Sequence, residues 1–227
     1  MQDIFAFIQI ITLGILLSLV IGKTIYLRRK EKINAIKINI FTMEGQKHGF
    51  EIVMFALIFL WAFTLLIYSL DEIFGIFIKM PKLLLFNYTA VKIFGLILVI
   101  SGFTIFIIAL FNLGSSWRLG IDDRNPGKLV TNGIYSISRN PIYLFFDLYF
   151  FGTFLINGNL IFLVFALLLG IIMHIQILRE EKFLLSAYRN MYSDYMNNVS
   201  RYFFFKFFFN HRSVKYSFRI KKAEQHQ

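Results

Sequence analysis

Between residues 160 and 178 the sequence reads LIFLVFALLLGIIMHIQIL, with no Asp, Glu, Lys or Arg. A stretch of that length and polarity matches the roughly 20 apolar residues that a helix needs to cross a bilayer. Similar runs recur along the chain, which is 57% hydrophobic and 19% aromatic. Soluble domains average about 45–50% apolar residues in interrupted patterns. The fold class is therefore an all-α integral membrane protein.

Five spans are expected, over residues 4–22, 50–70, a segment within 83–113, 142–156 and 160–178. The short turn Asn157-Gly158-Asn159 joins the last two into an antiparallel helical hairpin. Lys and Arg concentrate in residues 28–47, in residues 118–139 and from Arg179 onward, while the intervening loops hold only Lys79 and Lys82 or none. Alternating basic loops place the N-terminus outside and the C-terminus inside. The net charge of +11 is then explained by inner loops that face anionic lipid, not by nucleic-acid binding. The start, MQDIFAF, lacks a basic n-region, so no cleavable signal peptide is expected. Abundant Ile, Phe, Lys and Asn fit an AT-rich bacterial genome and hence a bacterial cytoplasmic membrane.

Beyond the fifth span, Leu184, Tyr188, Met191, Tyr195 and Val199 recur at helical spacing, predicting one amphipathic helix along the inner membrane face or over the mouth of the bundle. The aromatic, basic tail, with FFFKFFF at residues 203–209, reads as an interfacial anchor. The chain thus divides into spans 1–3 (residues 1–112), a loop, hairpin and amphipathic helix (113–202), and the tail (203–227).

Chemistry concentrates at one end of the hairpin. The chain enters the membrane after RNPIY (residues 139–143) and leaves at ILREE (177–181), so the two motifs meet. Pro141 suits the first turn of a helix and leaves Asn140 as its cap. The glutamates Glu180 and Glu181 are expected to end the apolar helix, where carboxylates oppose the helix dipole. They are better explained by a cationic ligand, which aromatic faces also suit. Asp147, costly in lipid, should face the bundle interior. With no cysteine, and with His48, His174, His211 and His226 scattered, no metal site is expected.

LVTNGIYSISRNPIYL, then a hairpin, then REEKFLLSAYRNMYSDYMNNVSRY, resembles the isoprenylcysteine carboxyl methyltransferase and phospholipid N-methyltransferase group of integral membrane enzymes, over about residues 113–202. That resemblance implies S-adenosyl-L-methionine as cofactor and a lipid or small lipophilic acceptor entering from the bilayer. Its cofactor contacts carry over to Leu129, Val130, Tyr135, Asn140, Pro141, Tyr143, Glu180 and Glu181. Asn140 stands where many members have histidine. Gln176 stands where carboxyl-methylating members tend to have arginine, so a carboxylate substrate lacks that charge partner. His174, a candidate proton acceptor for an amine nucleophile, and Gln176 are the catalytic candidates. The acceptor stays open among amine, carboxylate, thiol and hydroxyl. A non-catalytic scaffold that keeps the fold, and a nicotinamide-dependent reductase, are the competing readings.

Overall fold

In a computed structural model, the described residues are 2–36, 45–75, 83–118, 120 and 127–202, with backbone alone for 2, 3 and 45–48. They form helices α1 (Gln2–Lys30), α2 (Gly45–Phe74), α3 (Thr89–Leu113), α4 (Pro141–Asn157), α5 (Leu160–Tyr188) and α6 (Asn190–Asn198), with short 3₁₀ turns at Gly114–Ser116 and Gly133–Ser136. No strand occurs among the described residues. The predicted anchor at 203–227 lies outside them.

Helices α1, α2, α3 and α5 are long and apolar enough to cross a membrane. The fourth expected span, α4, is apolar but has 17 residues, which gives roughly 25 Å of helix against about 30 Å of hydrocarbon. It is also the hub of the bundle. Phe145, Tyr149 and Thr153 are completely buried, and α4 touches each long helix. Thr12 of α1 hydrogen-bonds Tyr149 at 3.1 Å. Trp61 of α2 packs edge-on against Tyr149 and Phe150. Nine of its 17 residues are buried, so about half of this short helix is covered by protein rather than lipid.

Glycines bring α3 and α4 together. A Cβ added at Gly95 would lie 2.7 Å from the Gly152 carbonyl oxygen, and one at Gly152 would lie 2.7 Å from Val99 Cγ2. Close backbone approach through small residues is how helices gain contact in lipid, where no hydrophobic effect drives them together. The α4–α5 turn is fixed by Gly158 at φ +60. Its carbonyl accepts from Leu85 N at 2.7 Å, tying the α2–α3 connection to the turn. Asn159 caps α5 by accepting from Ile161 N at 2.9 Å.

Two expectations are corrected here. Helix α5 does not end at Leu178 but runs to Tyr188, so Glu180 and Glu181 sit about two turns inside it and the dipole argument does not apply. The predicted single amphipathic helix is broken at Arg189, whose φ of +48 separates α5 from α6. The break shifts the helical phase: Met191 is 67% exposed, and Tyr192, at 1%, takes the inward position beside Tyr195. Asn140 occupies the cap position of α4, but its side chain makes no cap hydrogen bond.

Candidate active site

The loop before α4, the first turns of α4, the second half of α5, α6 and one stretch of α2 line a cavity of about 240 Å³ that is open on one side. Leu129, Val130, Tyr135, Asn140, Pro141, Tyr143, Gln176 and Glu180 all line it. Glu181 and His174 do not. These residues come from three separate segments, brought together because the hairpin returns the chain to its starting level.

The paired glutamates have different surroundings. Glu181 is 5% exposed and ties together three segments behind the cavity wall. Its Oε1 accepts from Arg139 Nη2 at 2.9 Å and from Asn140 Nδ2 at 3.1 Å, and its Oε2 accepts from Arg201 Nη2 at 2.7 Å. Arg139 in turn donates to the carbonyls of Met196 and Val199 at 2.9 and 2.8 Å. Its backbone N–H bonds Ser200 O at 3.0 Å. The strap after α6 is thus bound to the root of α4 through one carboxylate. Charge-assisted, two-donor pairing of this kind is the strong form of the hydrogen bond.

Glu180 faces the cavity. Tyr143 Oη donates to its Oε1, as does Gln176 Nε2 at 3.3 Å, and that same Nε2 lies 3.4 Å from Oε1 of Glu51. Gln176 is completely buried, and its Oε1 has no hydrogen-bond partner among the described residues. A buried carbonyl oxygen without a donor costs about 1–3 kcal/mol. The wall around Gln176 is therefore rich in acceptors, and among the described residues no donor reaches its Oε1.

Tyrosines close the opposite side. Tyr195 Oη donates to the Tyr135 carbonyl, and Tyr188 Oη to the Gly127 carbonyl at 3.0 Å. Burial pushes the Tyr195 phenol up to about 12 and raises that of Tyr135 as well. Both remain protonated at physiological pH, and Tyr195 can donate. Arg118 and Lys128 also border the cavity, as does Trp117, 3% exposed.

Sequence reasoning missed Glu51, 1% exposed, and the contribution of α2. A single carboxylate near the start of an otherwise apolar span was the available signal. It also missed Tyr192, for the phase reason given above. His174, expected near the chemistry, is exposed outside the cavity, with Nδ1 2.9 Å from Tyr202 Oη. Asp147 is half-buried, and one of its oxygens is shielded without a partner, but it does not line the cavity.

No curated protein matches the chain significantly. A family model described as phospholipid methyltransferase matches residues 90–191. The match takes in α3, the loop, α4 and α5 and leaves out α2. Carried by that region, the chain's likeness is to the phospholipid methyltransferase family, consistent with the wider isoprenylcysteine carboxyl and phospholipid membrane methyltransferases.

Proposed function

We propose that the protein transfers a methyl group from S-adenosyl-L-methionine to a lipophilic acceptor at the cavity beside Glu180. The carrying observation is the acceptor-rich wall: Glu180 turned into the cavity beside a buried Gln176 Oε1 that meets no donor among the described residues. S-adenosylmethionine fits this acceptor-rich wall, since its ammonium and ribose hydroxyls donate hydrogen bonds and its sulfonium carries positive charge, and, when bound, it supplies an electrophilic methyl group. Glu180 and Gln176 would hold its donor groups. The faces of Tyr143 and Tyr135 suit positive charge. Arg118 and Lys128, at the loop side, suit its carboxylate. Glu181 supports the site from behind by fixing Arg139, Asn140 and the strap.

The chain's contribution to catalysis is placement and exclusion of water. Methyl transfer is an in-line displacement, in which holding two reactants in line removes much of the barrier. The tyrosine and apolar lining of the cavity limits competing water once ligands fill it. The same wall disfavours a carboxylate acceptor, because it already brings two carboxylates, Glu180 and Glu51, against Gln176. A head group that donates hydrogen bonds, such as an amine, is the better match.

Calorimetric titration of S-adenosylmethionine into the detergent-purified protein tests this. Micromolar binding is expected, weakened tenfold or more by Glu180→Gln. A folded protein that binds none, with or without added lipid, overturns the proposal and leaves a scaffold role.

A further inference from the structure

Helix α2 lies outside the residues 90–191 that the family model matches, yet it sends one carboxylate to the back of the site. Glu51 is 1% exposed and sits about two turns from the start of α2, in a helix long and apolar enough to cross a membrane. A carboxylate buried in such a helix is expensive, and function explains it better than folding does.

Its contact decides how an amide is turned. Gln176 Nε2 carries two hydrogens, and two carboxylate oxygens face it: Oε1 of Glu51 at 3.4 Å and Oε1 of Glu180 at 3.3 Å. An amide nitrogen donates twice, whereas the amide oxygen only accepts. Turned the other way, the amide would set its oxygen against two carboxylate oxygens and take its nitrogen away from both. Gln176 is therefore left one orientation, with Oε1 directed away from the carboxylates, where it meets no donor among the described residues.

The same amide fixes Glu180. Tyr143 Oη and Gln176 Nε2 both donate to Oε1 of Glu180, and no donor among the described residues reaches its Oε2. One carboxylate oxygen is held by the protein, and the other is left for a ligand that donates. The row Glu51, Gln176, Glu180, Tyr143 runs from α2 through α5 to α4, and Glu51 is its one member that does not line the cavity.

We propose that Glu51 is a positioning residue: acting through Gln176, it holds that amide and Glu180 so that Gln176 Oε1 and Glu180 Oε2 receive hydrogen-bond donors of the bound ligand. The proposal rests on the methyltransferase reading for S-adenosylmethionine as that ligand, but the orientation of the amide can be read with no ligand present. Without Glu51 the amide answers to one carboxylate instead of two and is free to turn its N–H toward the ligand's own donors.

Side-chain amide resonances of the purified full-length protein, isotope-labelled at its glutamines, test the orientation, with Gln176 assigned by the signal that Gln176→Met removes. Carboxylate acceptors move amide protons downfield. Both Nε2 protons of Gln176 should lie downfield in the unsubstituted protein and in Glu51→Gln, which keeps an acceptor oxygen in place. One should return upfield in Glu51→Met, which has none. Ordinary positions in the unsubstituted protein overturn the proposal, and so do positions that Glu51→Met leaves unmoved; if that variant does not fold, the unsubstituted protein decides.

Calorimetric titration of S-adenosylmethionine supplies the second arm. Glu51→Met should weaken binding about tenfold, the scale on which lost support behind a ligating group acts at metal sites, and Glu51→Gln should recover most of it. In a Gln176→Met background, Glu51→Met should change nothing further, because a residue that works through a partner has no effect once that partner is gone. Equal loss in both backgrounds overturns the proposal, as does unchanged affinity in Glu51→Met. An unsubstituted protein that binds no cofactor sinks the methyltransferase reading alone, and the resonances still decide the orientation of the amide.

Discussion

Glu180 and Glu181 are neighbours in sequence but point about 100° apart around α5, and that rotation divides their work. Glu181→Gln leaves Arg139, whose side chain is 7% exposed, and Arg201 without their carboxylate. Breaking a buried ion pair by removing one partner costs about 3–5 kcal/mol. Glu180→Gln keeps the shape, leaves Tyr143 an oxygen to donate to, and removes no ion pair. Thermal unfolding in detergent should therefore show a large loss of stability for Glu181→Gln and a small one for Glu180→Gln. Equal losses would refute the division of roles. The sequence displayed both carboxylates and their nearness to RNPIY. It could not tell them apart, because assigning a face needs the position of Arg201, which lies beyond a break in helical phase.

Elements were legible where hydropathy alone defines them. The long apolar runs became α1, α2, α3 and α5, and Asn157-Gly158-Asn159 became the turn. What hydropathy does not encode was missed. Helix α5 continues past Leu178 because a helix needs backbone hydrogen bonds, not apolar side chains, to propagate. The centrality of α4 was also hidden, since apart from Asp147 the helix is apolar on all sides and gives little sign of which face meets which neighbour. The α3–α4 contact supplies its own test. Gly95→Ala or Gly152→Ala puts a methyl group into backbone or Val99 and should cost about 1–3 kcal/mol, as overpacking does. Gly14, with nothing within 4 Å of an added Cβ, is the control: Gly14→Ala should stabilise the helix by up to about 1 kcal/mol. Unfolding midpoints of the variants decide, and unchanged midpoints for Gly95→Ala and Gly152→Ala would mean that the two helices do not meet there.

For the whole molecule, the cavity and the α4–α5 turn lie at opposite ends of the bundle, so membrane orientation decides which compartment supplies the cofactor. The basic loops predict that the cavity end faces the cytoplasm. The chain has no cysteine, which permits single-site labelling. An impermeant maleimide should label Tyr88→Cys, at a residue 71% exposed near the turn end, in intact cells. It should label Ser186→Cys only after permeabilisation. The reverse pattern would turn the cavity away from cytoplasmic S-adenosylmethionine and overturn the proposed function.

The strap adds a matter of timing. Arg139, Glu181 and Arg201 are drawn from before, within and after α5, and the last of them is made only when the hairpin has already been synthesised. While the chain is still emerging, the carboxylate has one arginine and the cavity lacks the wall that α6 supplies. Completion of the site therefore waits for translation to pass residue 201, and a chain cut short before that point would carry every apolar span and the glutamate pair without a finished chamber.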